Sequence, residues 1–164
     1  MARAKSTRKP TRAAATKPAK PVEPESPGEH NTAPPTPEAL HAWIAEHLGI
    51  HIAQDSLIDG HAAPFDYLAH AFFEGRYRRG PSGWALADAP RSPDCVGWAN
   101  RGGGKTFLGA LATLLDMVFK PGVQVRILAG SLEQSGHMHE HLRGFFELPA
   151  FAPMVRGAVT SRRI

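Results

Sequence analysis

The stretch Ala99-Asn100-Arg101-Gly102-Gly103-Gly104-Lys105-Thr106 limits what this chain can fold into more than any other. Three glycines in a row, then Lys, then Thr, is the pattern of a phosphate-binding loop of the Walker A type, with Ala where the first Gly usually stands. Without side chains, the glycines let backbone N–H groups turn inward around phosphate oxygens. Lys105 supplies a point charge for the β- and γ-phosphates, and the Thr106 hydroxyl suits Mg2+. The helix that follows aims the positive end of its dipole at the anion. Residues Asn100, Arg101, Gly102, Gly103, Gly104, Lys105 and Thr106 are therefore the expected binding set for ATP with Mg2+, Thr106 being the residue that meets the metal.

Glycine-rich turns beside a lysine also occur in ordinary loops, so the flanks decide. Before the loop, Asp94 to Trp98 is a short, partly apolar run behind a turn signal at Arg91-Ser-Pro93 and reads as a strand. After it, Phe107 to Phe119 is apolar nearly all round, as in a helix buried against a sheet. Lys120-Pro121-Gly122 breaks that helix, and the β-branched run Val123 to Ala129 reads as a second strand. Ser131 and Gln134 stand at capping-box spacing, so a helix is expected from Leu132 to Glu147. A further strand is expected at Ala158-Val159-Thr160. This βαβ progression predicts an α/β fold: an incomplete P-loop NTPase (RecA-like) with a parallel sheet and right-handed crossovers.

Upstream the signals are helical. Thr36, Pro37 and Glu38 set up a helix whose apolar residues Leu40, Trp43, Ile44 and Leu48 recur at helical spacing before Gly49. A second helix is expected from Ala63-Pro64 to about Glu74, with the stripe Phe65, Leu68, Ala69, Phe72 and Phe73. Arg76 to Pro93 reads as loop, with a short strand possible at Trp84-Ala-Leu86. The expected division is a tail over 1–37, a helical lead-in over 38–90, and the start of the nucleotide-binding domain over 91–164.

Charge separates the tail from the rest. Residues 1–37 carry seven Lys and Arg against three Glu, whereas residues 38–164 carry twelve against twelve. The positive excess thus belongs to the tail, which also holds eight of the fifteen prolines. With almost no large apolar side chain it cannot offset its ordering entropy, so a disordered basic tail is expected. It reads equally as an electrostatic arm for DNA phosphates or as a solubilising extension without a partner. Cys95 is the single cysteine, which excludes a disulfide framework and a thiolate metal cluster. No apolar run reaches the roughly 18 residues of a membrane span, and no secretory signal is present.

Other side chains were weighed against plainer roles. Arg101 can reach transferring phosphoryl oxygens as an arginine finger in cis, or simply pair with a nearby acid. His137, His139 and His141 tempt a zinc reading, but only His137 and His141 share a helix face, so a solvated face is expected. Trp43, Trp84, Trp98, Phe65, Phe72 and Phe73 can stack bases, but their periodicity makes them core residues first. Cys95 is expected buried and inert. No apolar run ending in Asp-Glu follows the loop to hold Mg2+ and position water, so binding is expected without the full means of hydrolysis.

The loop, together with Ile127-Leu-Ala-Gly-Ser-Leu-Glu-Gln-Ser135 and the lead-in Gly60 to Phe73, resembles the start of a phage terminase large subunit, the ATPase that drives DNA into capsids. The resemblance implies Lys105 and Thr106 for phosphate and Mg2+, Arg101 as the finger, and Gln134 as a coupling residue. It implies double-stranded DNA, the portal and the small terminase subunit as partners, no membrane, and a cytoplasmic location in the bacterial host. It also implies that the acidic motif and a nuclease domain lie beyond Ile164, making the chain the front piece of a longer protein. The adenine-reading Gln common in that family has no clear counterpart here. A helicase-type ATPase shares the loop and the Ser-x-x-Gln helix start, and a non-catalytic DNA-binding remnant using its basic tail is the third reading. On the arm reading, deleting residues 1–37 weakens DNA binding and flattens its salt dependence. A filter-binding titration at several salt concentrations checks this, and an unchanged affinity rules the arm out.

Overall fold

Helices dominate the computed structural model, which describes residues 32–164 apart from 57, 90, 161 and 162. The tail reading therefore lies almost wholly outside the described residues. Helix α1 spans Pro37–Leu48, with Thr36 as N-cap accepting a hydrogen bond from Ala39 N–H at 3.3 Å and Gly49 closing it at φ 64°. Helix α2 spans Pro64–Phe73. Its Asp66 carboxylate accepts from Ala63 N–H at 2.8 Å, filling one of the helix's open first-turn donors. Helix α3 spans Lys105–Phe119 and helix α4 Leu132–Phe146, the latter capped by Ser131 Oγ accepting from Gln134 N–H at 3.2 Å. The four expected helices are thus present, and the caps expected at Thr36, Gly49 and Ser131 form.

The expected parallel sheet is not. The described residues form one sheet, of two antiparallel strands: β1 (Tyr77–Gly80) and β2 (Gly83–Leu86), paired Tyr77 to Leu86 and Gly80 to Gly83. The strand at Trp84 to Leu86 was legible. Its partner β1 was not, because Tyr77-Arg-Arg-Gly80 has no apolar alternation. Pro81 enters the tight turn and Gly83 leaves it at φ 105°, a conformation glycine tolerates best.

Neither Asp94–Trp98 nor Val123–Ala129 forms a strand, so the RecA-like α/β assignment is wrong for this structure. Among the described residues, no main-chain hydrogen bond joins these stretches to each other or to a third stretch. Val123 N–H only closes a turn on Lys120 O at 3.3 Å. Strand-like composition describes a surface suited to pleating, but the ladder needs a neighbour to complete it. Most of their side chains accordingly face solvent, Val96 being 88% exposed, Leu128 93% and Trp98 95%, while Ile127 packs against the core. The strand expected at residues 158–160 is also absent, and Thr160 N–H instead donates to Arg163 O at 2.9 Å.

The core is built around α3. Ala110, Leu111, Leu114, Leu115, Val118 and Phe119 are buried, packed between α2 and α4. At its far end Phe119 meets Trp43 and Phe72 edge-on at 4.9 and 5.7 Å, and near its start Phe107 meets Phe145 at 5.8 Å. The hairpin packs on α2 through Phe73 on Tyr77 at 4.9 Å and Phe65 on Trp84 at 6.0 Å. Lys120 ties the ends together, bonding Glu74 and Asp116 at 2.9 Å each over the Phe72 ring. Burial pulls the Lys120 pKa down, but the bonds from Asp116 and Glu74 outweigh it and hold the ammonium above the ordinary lysine value.

Two substitutions test this packing. Leu114 is fully buried, and Leu114→Ala is expected to cost roughly 2–5 kcal/mol by denaturant titration. Leu128→Ser is expected to stay within about 0.5 kcal/mol of the parent, whereas a buried strand at 123–129 would make both substitutions costly.

Candidate nucleotide-binding site

Helix α3 starts at the loop and inherits its geometry. Gly104, its N-cap, has φ 75°, and Gly102 has φ 81°, both in the left-handed region that L side chains rarely enter. At Gly103 the close approach is from Asn100: a Cβ there meets Oδ1 of that exposed side chain, which can turn away, at 2.5 Å and Asn100 O at 3.2 Å. Its N–H donates to Asn100 O at 3.2 Å, which closes the turn. Gly102 and Gly104 therefore answer one demand, a positive φ, and Gly103 another, the close approach of Asn100.

No side chain caps α3, and its first internal bond runs from Leu108 N–H to Gly104 O at 2.9 Å. The first-turn N–H groups at Lys105, Thr106 and Phe107 are the orphan donors that any helix start presents, concentrated at the positive end of the dipole. Lys105 folds back over the loop and donates to Ala99 O and Asn100 O, each at 2.7 Å. An ammonium has three donors, so one remains for an anion. Arg101 and Thr106 are exposed, and Arg101 makes no ion pair among the described residues. The plainer role weighed for Arg101, pairing with a neighbouring acid, thus finds no acid here.

The approach to the loop is pinned by α2 rather than by a strand ladder. Arg91 N–H donates to Gly75 O at 3.3 Å, and His70 Nε2 bonds Ser92 O at 3.1 Å. Gly75, at φ 72°, sits so close that a Cβ there lies 3.0 Å from both Arg91 O and Ser92 O. Further on, Gly97 lies against the Tyr67 ring, where a Cβ stands 3.6 Å from Cε2. Desolvation, then the nearby Cys95 and Asp116, raises the Tyr67 pKa above the ordinary phenol value. Cys95 is exposed, not buried as expected. Partial desolvation and then the Asp94 carboxylate raise its pKa, keeping it a thiol and a poor nucleophile.

An open cleft of about 930 Å3 extends from Ala99, Gly103 and Lys105 toward α2 and the hairpin. Tyr67 and His70, one turn apart on α2, and Trp84 of β2 line it, with Arg91 and Trp98 from the loop's approach. Tyr67, His70 and Arg91 were missed as site candidates, whereas Trp84 and Trp98 were read as able to stack bases but as core residues first. The signal was available in the face of α2 opposite its apolar stripe, where Tyr67 and His70 fall together.

Gln134 is not gathered into this cleft. Its side chain turns back on Gly130, where a Cβ lies 3.2 Å from Oε1, and none of α4 lines the cleft. The ring contacts of Phe107 with His141 at 5.6 Å and with Phe145 set the second half of α4, not its start, beside the loop end of α3. Among the described residues no cluster of three or more His, Cys, Asp or Glu is arranged to hold a metal, and no helix is long and apolar enough to cross a membrane. Trp98, expected in the core, is bare, while Phe65, Phe72 and Phe73 are buried. No protein-family model, curated protein or solved structure matches the chain.

The glycines give a direct test of the loop. Gly104→Ala is expected to cost about 1–2 kcal/mol from its positive φ and to weaken any phosphate ligand. Gly144, in α4 with open space at its Cβ, is the control: Gly144→Ala is expected to gain about 0.5–1 kcal/mol. Thermal melts of the two variants check the opposite signs.

Proposed function

We propose that this chain binds ATP with Mg2+ at Asn100 to Thr106 and supplies the nucleotide-binding part of a DNA-packaging ATPase similar to the large terminase subunit. The observation that supports the reading best is local. Two glycines at positive φ flank a third packed closely on Asn100, directly before an uncapped helix whose first residue is Lys105. That combination suits a di- or triphosphate, because oriented N–H groups, a helix dipole and a lysine converge on one place. It rests on the loop alone and does not depend on a parallel sheet.

In this reading Lys105 neutralises the β- and γ-phosphates, and the loop amides hold their oxygens. Thr106 adds its hydroxyl to the Mg2+ shell. Magnesium keeps several waters and takes phosphate oxygens as ligands, so one protein hydroxyl fits such a site. Arg101, without an acid partner, is free to swing onto phosphoryl oxygens. Gln134 is the residue proposed to relay nucleotide state toward DNA, and it does so from outside the cleft. Double-stranded DNA, a portal and a small terminase subunit are the partners this function requires, in a bacterial cytoplasm.

Isothermal titration of ATP with Mg2+ into the full chain tests the reading. Lys105→Ala removes a charge-assisted contact worth about 1.5–3 kcal/mol, and the affinity is expected to fall about 10- to 150-fold. ATP binding that is absent in the parent, or unchanged in the variant, sinks it.

A further inference from the structure

The cleft beside the loop is larger than phosphates need. At about 930 Å3 it lies within the range of small-molecule sites, roughly 300–1,000 Å3. A nucleotide anchored at Lys105 still has its sugar and base to place, and the cleft opens from Lys105 and Gly103 toward α2.

Two aromatic side chains suit a base. Trp98, on the cleft's edge two residues from Asn100, is 95% exposed. An indole left bare to water at a concave site gains from any planar partner, and every base has a π-face to offer. Tyr67 lies deeper, half-buried against Gly97.

The charged groups of the walls are mostly engaged, although the buried Trp84 Nε1 has no partner among the described residues. Asp66 accepts from Ala63 N–H and faces Arg79 at 3.6 Å, Arg79 also bonds Asp55 at 3.0 Å, and Arg78 faces Asp88 at 3.4 Å. His70 is spent on Ser92 O. Asp66 is the single carboxylate among the lining residues, which include no Asn beyond the loop and no Gln. A side chain that reads adenine N6 and N7 together must offer a paired acceptor and donor, as Asn and Gln do. Arg91, whose side chain has no acid partner among the described residues, carries donors only. Any preference it confers runs toward guanine, whose O6 and N7 are both acceptors.

We propose that the cleft between α2 and residues 95–99 seats the nucleoside of the bound triphosphate by stacking its base on Trp98 and Tyr67, and accepts GTP as readily as ATP. This rests on the phosphate-binding reading of the loop. The site is selective for a nucleotide over bare polyphosphate, and its side chains do not favour the adenine edge over that of guanine.

The test is calorimetric titration of the full chain, in Mg2+, with ATP, GTP and inorganic triphosphate. ATP and GTP are expected within about tenfold of each other, and both tighter than inorganic triphosphate. Trp98 is exposed, so Trp98→Ala leaves the fold intact. It is expected to weaken both nucleotides about 5- to 100-fold with inorganic triphosphate unchanged, and Trp98→Phe to restore most of the loss. ATP favoured over GTP by more than about tenfold, or nucleotides insensitive to Trp98→Ala, overturns the proposal while leaving the phosphate site standing. Failure of inorganic triphosphate and both nucleotides to bind instead removes the phosphate-binding reading, and this proposal with it.

Discussion

Helix α3 must bury most of its circumference, and the rest of the structure follows from how that is done. Its apolar residues fall on almost every side, so one flat neighbour cannot cover them. The chain meets the demand with helices: α2 on one side, α4 on another, and Trp43 of α1 with Phe151 toward the far end. Aromatic rings do much of the closing. Phe72, Phe119 and Trp43 form a run of edge contacts, each worth about 0.5–1.5 kcal/mol beyond its buried area. Lys120, drawing Glu74 and Asp116 together, fastens the end of α3 to the end of α2.

That packing also positions the loop. Because α2 lies against α3, its solvent-facing side chains reach the segment that leads into Gly102. His70, Tyr67 and the closely fitted Gly75 hold residues 91–97 from one side. The cleft is the space left between that clamp and the hairpin. Its shape therefore depends on α2 twice, through the buried stripe that fixes the helix and through the opposite face that lines the cleft.

The helices were legible because their signals are local. A Thr before Pro37, a Ser three residues before Gln134 and glycines at helix ends act within one turn, and each cap formed as its residues dictate. The sheet was not legible, because strand signals are half of a statement. Val123 to Ala129 has the composition of a strand, yet pairing is a property of two segments, and no described segment pairs with it. The hairpin shows the converse. Tyr77-Arg-Arg-Gly80 lacks strand composition but pairs because Pro81 and Gly83 turn it onto Gly83–Leu86 and because Tyr77 packs on Phe73. Within the site, the loop residues were legible from their pattern. Tyr67 and His70 were legible only as a polar face of α2, not as neighbours of a loop some thirty positions on, and Arg91, though only eight residues before Ala99, belongs to no pattern of its own.

Local and non-local origins also explain why a wrong sheet does not carry the loop down with it. The positive φ at Gly102 and Gly104, the Asn100 turn and the Lys105 bonds to Ala99 O and Asn100 O all close within seven residues. Such a motif needs only a helix behind it and a fixed approach in front. Here α3 is held by helix packing, and the approach is held by α2 in place of strand neighbours. The bare side chains of Val96, Trp98 and Leu128 mark where that substitution leaves apolar surface uncovered. The glycine loop is thus the most self-sufficient part of the molecule. What remains dependent on its surroundings is the far side of the cleft, which α2 and the hairpin shape.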